Sequence, residues 1–164
     1  MPDRTRPRLF MPATILLGIG LGGFFDGIVI HQVLQWHHMV STPSPPDTLA
    51  SLQLNTLADG LFHAFTWLVT VVGVALLFVA ARPPEGAARH LVGGLLIGWG
   101  GFNVVEGIIN HHLLNLHHVR PGPDQVLYDL GFLAWGAVML VVGYLLTRPR
   151  ASYLPSVGPS QTSS

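Results

Sequence analysis

The chain contains neither cysteine nor lysine among its 164 residues, and only 10% of its residues are charged. Without cysteine there can be no disulfide bond, thiolate zinc site or Cys-X-X-Cys redox pair. Soluble domains carry about a quarter charged residues, so this shortage of charge is typical of a membrane protein. The mean hydropathy of +0.49 agrees. The net charge is zero and there is no basic block, so the sequence gives no indication of nucleic-acid binding.

Long apolar stretches take up most of the chain. Each of four stretches reaches the roughly 20 residues that a helix needs to cross a bilayer. They lie at about 9–34, 56–81, 91–116 and 126–147. In lipid a helix satisfies its own backbone hydrogen bonds, so we expect an all-α integral membrane protein in contact with the lipid bilayer.

The arginines predict how these spans are oriented. Seven of the eight lie at one set of span ends, and only Arg120 lies at the other. The seven are Arg4, Arg6, Arg8, Arg82, Arg89, Arg148 and Arg150. By the positive-inside rule, both termini are cytoplasmic in a bacterial inner membrane. The basic start has no convincing cleavage site after it, so we interpret the first span as retained. We predict a cytoplasmic lead at 1–8, a membrane domain at 9–147 and a disordered cytoplasmic tail at 148–164.

One motif of an acid and three histidines occurs twice, eighty residues apart. In both copies the first histidine follows the acid by five residues, and a histidine pair comes six and seven residues later. The copies are Asp26, His31, His37 and His38, and Glu106, His111, His117 and His118. Each repeat unit has two spans and returns to its starting side. We therefore predict a four-helix bundle of two duplicated hairpins, related by a pseudo-twofold axis along the membrane normal. Glycines on the first and third helices would let these two helices approach closely.

Buried acids and histidines inside membrane spans are costly and usually functional. Each predicted helix carries one carboxylate, as in four-helix bundles that bind two metals. These carboxylates are Asp26, Asp59, Glu106 and Asp129. Asp59 also stands four residues before His63, on one helix face. This spacing suits either a metal site or a carboxylate–histidine pair.

Helical geometry predicts that these groups lie in layers. Asp26 and His37 share a helix face, but eleven residues separate them by about 16 Å along a continuous helix. We therefore expect a deep metal site from His31, His63 and His111. Asp59 and Asp129 would lie above these histidines, and Asp26 and Glu106 below them. The four histidines at the outer mouth would form an entry funnel or a second site: His37, His38, His117 and His118.

The string GGFFDGIVIHQVLQWHHMVS resembles the signature of a bacterial four-helix inner-membrane family classified only as a domain of unknown function. The likeness covers roughly residues 9–147 and includes 55–63. Genes for members of that family occur together with cytochrome-oxidase copper-assembly genes. The resemblance therefore implies copper ahead of iron or zinc, and partners among respiratory oxidases or metal-assembly proteins.

The residues themselves leave several functions open. Imidazole and carboxylate ligands suit Cu(II), zinc and iron, in a redox enzyme or a metal-handling protein. Two histidines from facing helices could instead bracket haem in a b-type cytochrome. A proton or ion pathway is a third reading, although the cytoplasmic halves of the spans look apolar. The last is an interhelical hydrogen-bond network with no ligand. Whether the protein is an enzyme stays open.

Overall fold

The computed structural model describes residues 6–80 and 85–149, and these contain four long helices. A short 3-10 turn, Pro7–Leu9, leads into α1, Phe10–Phe24, which continues as a π-helical segment, Phe25–Val33. Helix α2 is Leu49–Ala80. Helix α3, Ala87–Glu106, continues as a second π-helical segment, Gly107–Leu113, and α4 is Gln125–Thr147. All four are long and apolar enough to cross a membrane, which confirms the predicted four-helix bundle.

Some predicted boundaries differ from the observed ones. Helix α2 begins at Leu49 rather than near residue 56, because Thr48 and Ser51 cap its first turn. The hydroxyl of each accepts the backbone N–H of the other, at 3.1 Å in both directions. The first and third helices end at Val33 and Leu113, earlier than expected. Arg4, Arg82, Arg150 and most of the predicted lead and tail lie outside the described residues.

Helices α1 and α3 form the central pair, with α2 packed on α1 and α4 packed on α3. Glycines make the central contact close. A Cβ atom on Gly18 would lie 2.2 Å from the Leu95 carbonyl oxygen, and one on Gly98 would lie 2.0 Å from the Ile15 carbonyl oxygen. The expected glycine contact between the first and third helices is therefore present. Not every glycine serves it: Gly27 faces His63 on α2, and Gly101 is nearly open.

The contacts of the two halves are reciprocal. Gly18 meets Gly98 at the crossing of α1 and α3, and the Cβ of each would lie 2.9 Å from the other's Cα. The two π-helical segments follow α1 and α3 at equivalent positions. Because both repeats run in the same direction, the pseudo-twofold axis that relates them runs along the helices between α1 and α3. We call the end of the bundle at Val33, Leu49, Leu113 and Gln125 the histidine end.

Candidate metal centre

The chain reverses direction sharply after each π-helical segment. Gln35 and Asn115 both adopt a left-handed conformation with φ of 49°. Around them, Leu34 N–H donates to the Val29 carbonyl at 2.8 Å, and Leu114 N–H donates to the Ile109 carbonyl at 2.8 Å. π-Helical turns are rare and occur frequently at functional sites. Here they end the two spans early and turn the following residues back into the bundle.

This reversal brings four histidines together at the centre of the histidine end. The rings of His37 and His117, one from each half, stack with centroids 4.4 Å apart and planes 7° apart. His31 lies 4.4 Å from His37, and His111 lies 5.0 Å from His117, measured between ring centroids. All four side chains are buried. The cluster is thus built equally by both repeats.

The predicted separation into layers is wrong. His117 Nε2 lies 2.8 Å from Glu106 Oε1, although continuous helix would have separated these residues by about 16 Å. That separation holds only while both segments remain helical, and the left-handed residues Gln35 and Asn115 interrupt the helices. His37 and His117 therefore belong to the buried cluster rather than to an outer mouth.

Backbone carbonyls fix the tautomers of the two stacked rings. His37 Nδ1 donates to the Val119 carbonyl at 2.8 Å, and His117 Nδ1 donates to the Met39 carbonyl at 2.9 Å. Each histidine thus bonds to the residue that follows the histidine pair of the other repeat. Burial, with the charges of His117 and His31, lowers the pKa of His37 from 6.5 to about 2. A neutral His37 keeps a lone pair on Nε2, which is buried and has no hydrogen-bond partner.

His31 has the same arrangement, with a carboxylate in place of the carbonyl. Its Nδ1 donates to Asp59 Oδ1 at 2.9 Å, and its Nε2 lies 3.1 Å from Asp26 Oδ2 without hydrogen-bond geometry. In His31, His37 and His117, therefore, an oxygen engages Nδ1. The Nε2 atoms of His31 and His37 have no hydrogen-bond partner, and that of His117 faces Glu106 Oε1. One nitrogen from each lies within 4.8 Å of the other two.

A second group overlaps the first. Glu106, His111 and His117 also bring one ligand atom each within 4.8 Å of the others. His111 Nε2 lies 3.3 Å from Glu106 Oε2, which has no hydrogen-bond partner. His117 Nε2 faces Glu106 Oε1 at 2.8 Å. A proton or a cation between these two atoms would hold them at this distance.

Asp59 on α2 and Asp129 on α4 orient histidines of the two repeats. Asp59 accepts hydrogen bonds from His31, from His38 Nδ1 at 2.7 Å, from the Met39 backbone at 2.8 Å and from Gln32 at 3.2 Å. With four donors, its oxygens have little capacity left for an ion.

Asp129 repeats this arrangement in the second half. It accepts from His118 Nδ1 at 2.7 Å and from the Val119 N–H at 2.9 Å, and His111 Nδ1 lies 3.4 Å away. Buried carboxylates of this kind hold imidazoles in one tautomer and orientation.

His63 does not join the cluster. Its Nε2 packs against Gly27, where an added Cβ would lie 2.4 Å away. At the equivalent place in the second half, Leu133 packs against Gly107. The expected triad of His31, His63 and His111 is therefore not formed.

A cavity of about 660 Å³ opens at the histidine end, above the cluster. His37, His38 and His118 line it together with Trp36. His38 and His118 are partly exposed, at 18% and 16% of their side-chain surface. Of the four histidines that were predicted to lie at the mouth, these are the two that do. The cavity gives small solutes a route to His37.

Sequence reasoning did not find the backbone partners at Met39 and Val119 or the turns at Gln35 and Asn115. The sequence signal that could have found them is the repeat itself. These positions fall at matching places in the two copies, one residue after and two residues before the histidine pairs.

Comparison with known proteins agrees with the membrane fold. No curated protein and no solved structure matches the chain. A family profile described as "Predicted membrane protein (DUF2243)" matches residues 13–150, which include all four helices except short ends. These residues carry both motif copies and the whole histidine cluster, and the chain belongs to this family of membrane proteins.

Proposed function

We propose that the protein binds a transition-metal ion between its two halves, at the histidine end of the bundle. The observation that supports this most strongly is the orientation of the His31, His37 and His117 rings. Each has Nδ1 engaged by an oxygen at 2.8–2.9 Å, and their nitrogens converge in a buried space. Metal-binding histidines almost always show this arrangement, because the partner of one ring nitrogen directs the other toward the ion.

The ligand set favours a borderline transition metal. We assign the ion to His31, His37 and His117, with Glu106 and His111 as a neighbouring position that shares His117. Imidazole with carboxylate suits Cu(II), zinc and iron, and the absence of thiols disfavours a soft Cu(I) site. Asp26 and Glu106 supply negative charge that would offset the charge of the ion. Copper is our first candidate because of the oxidase-assembly association of similar proteins.

The geometry favours an ion over haem. Between the stacked rings of His37 and His117, with centroids 4.4 Å apart, there is no space for a porphyrin. The described buried ionisable side chains all lie in the histidine half of the bundle, which also disfavours a charge pathway across the membrane. Unpartnered buried atoms on Asp26, His37 and Glu106 are costly in a ligand-free network.

A location and a role follow from this proposal. With both termini cytoplasmic, the histidine end and its 660 Å³ cavity face the outside of a bacterial inner membrane. Metal would enter there through the opening lined by His38 and His118. Such a protein could carry out copper handling or redox chemistry beside a respiratory oxidase or a metal-assembly protein.

Elemental analysis of protein purified in detergent tests the proposal. After loading with Cu(II), Zn(II) or Fe(II) and desalting, we expect about one ion per chain and no Soret band. His37→Ala and His117→Ala should lose most of the metal, whereas His112→Ala, at an exposed position beside His111, should retain it. Wild-type protein without metal, or equal metal in all four proteins, would overturn the proposal.

A further inference from the structure

A second cavity, of about 540 Å³, lies on the lipid-facing side of the bundle between α1, α2 and α3. We call it the lateral groove. Its rim includes Phe65, Val105 and Ile109, whose exposed fractions are 55%, 58% and 40%. These residues lie within membrane-spanning helices, so the groove opens to the bilayer rather than to water. Its volume is in the range that holds a small organic ligand.

The two sides of the pseudo-twofold axis differ at the position of the lateral groove. Two of its lining residues are Ile19 and Val105, which correspond in the repeat to Trp99 and Phe25. Phe25 and Trp99 pack together with ring centroids 5.4 Å apart. On one side of the axis, therefore, two aromatic rings pack together, one from α1 and one from α3, whereas the equivalent positions on the other side carry the smaller Ile19 and Val105 and line the lateral groove.

The lateral groove has one polar end. Glu106 and Asn110 line it, and the Asn110 amide donates to Glu106 Oε1 at 3.2 Å. Asn110 corresponds to Ile30 in the other half, so this polar group belongs to the open side alone. Glu106 is only 7% exposed, and its Oε2 has no hydrogen-bond partner. A buried carboxylate oxygen without a partner favours a ligand that donates a hydrogen bond.

We propose that the lateral groove binds a membrane-dissolved amphiphile that has an apolar chain and a hydroxyl head. The chain lies between Phe62, Phe65 and Ile19, and the hydroxyl donates to Glu106 Oε2. Because Glu106 also belongs to the proposed metal centre, such a molecule would reach that centre from the bilayer while ions enter from the histidine end. The inference depends on the proposed function only for the statement that the bound molecule reaches a metal centre, where it would be a substrate. Binding itself requires no metal.

Photolabelling of the full chain in lipid nanodiscs tests the proposal. The probe is dodecanol with a diazirine in its chain, compared with its methyl ether, which cannot donate a hydrogen bond. We expect saturable labelling of the groove residues by the alcohol, competition by unlabelled dodecanol, and at least tenfold weaker labelling by the ether. Labelling that does not saturate, or equal labelling by the ether, would indicate ordinary lipid contact and overturn the proposal.

The residues at the equivalent positions of the repeat define the variants. Ile19→Trp with Val105→Phe copies the closed side and should reduce labelling at least tenfold, while Val138→Phe, on the lipid-facing side of α4 away from the groove, should not. Glu106→Leu removes the acceptor and should abolish the preference for alcohol over ether, and it tests the head group even if the double variant fails to fold. Unchanged labelling of a folded double variant, or unchanged preference in Glu106→Leu, would contradict the proposal.

Metal content separates this proposal from the proposed function. The double variant should still bind metal, and His37→Ala should lose metal but keep saturable labelling. If the wild-type protein bound no metal yet showed saturable labelling, the metal centre would be wrong and the lateral groove would stand. Bound metal with non-saturable labelling would overturn the groove proposal alone.

Discussion

Asp59 offers a quantitative test of how the histidine cluster is held together. Its two oxygens accept four hydrogen bonds, from His31, His38, Gln32 and the Met39 backbone. Replacing Asp59 with alanine removes both oxygens and so all four hydrogen bonds at once. The His31 N–H is fully buried, so leaving it without an acceptor costs about 1–3 kcal/mol of stability. Water can replace the lost acceptor in part for the other three donors. We expect the free energy of unfolding to fall by about 3 kcal/mol.

Asp59→Asn should destabilise the protein less than Asp59→Ala. The Met39 N–H can only donate, so the asparagine oxygen should face it and His31, and the amide should face His38, which can change tautomer. The fold should then survive, but the negative charge beside His31 is lost. Groups that orient metal-binding histidines are worth about 10–100-fold in affinity. We expect about tenfold weaker metal binding for Asp59→Asn and about a hundredfold weaker binding for Asp59→Ala.

Thermal unfolding in detergent and competition with a chromogenic chelator measure the two effects. Asp129→Asn should behave like Asp59→Asn, because it holds the equivalent histidines, and Asp47→Ala, at an exposed acid in the loop before α2, should change neither quantity. The reasoning is refuted if Asp59→Ala binds metal as tightly as wild type while His37→Ala does not.

Three further predictions concern the bundle, the turn and the unused histidine. Gly98→Ala places a methyl group 2.0 Å from a backbone oxygen of α1 and should cost about 1–3 kcal/mol in thermal unfolding, whereas Gly131→Ala, in open space, should be neutral or stabilising. Gln35→Gly should keep the metal because glycine accepts a φ of 49°, but Gln35→Val should lower both stability and metal content. His63→Leu, which copies the residue of the other half, should leave metal content unchanged; loss of metal would restore His63 as a ligand.

The bundle could be predicted from the sequence because its signals are local. A span is recognised by the length and hydropathy of a continuous segment, and all four predicted spans are present. The duplication is visible as matching residues, and the reciprocal contacts of Gly18 with Gly98 follow from it. Start and end positions were less accurate, because capping at Thr48 and the π-helical ends are not encoded in hydropathy.

The composition of the candidate site was predicted better than its geometry. The two acids and the histidines of the repeat do lie near one another, and Asp59 and Asp129 lie against them. His63 was placed wrongly because equal depth along a helix says nothing about which way a side chain faces. Its neighbours are Gly27 and Phe62 rather than the other histidines.

By itself, then, the sequence determined a four-helix membrane protein of two repeats, with acids and histidines concentrated at one end. Those properties depend on residue type and on spacing along the chain. Only the tertiary structure decided that His37 and His117 enter the buried cluster, since this depends on two left-handed residues that end the helices early. It also decided that Nδ1 is the engaged nitrogen of each ring, because the acceptors at Met39, Val119 and Asp59 come from elsewhere in the chain.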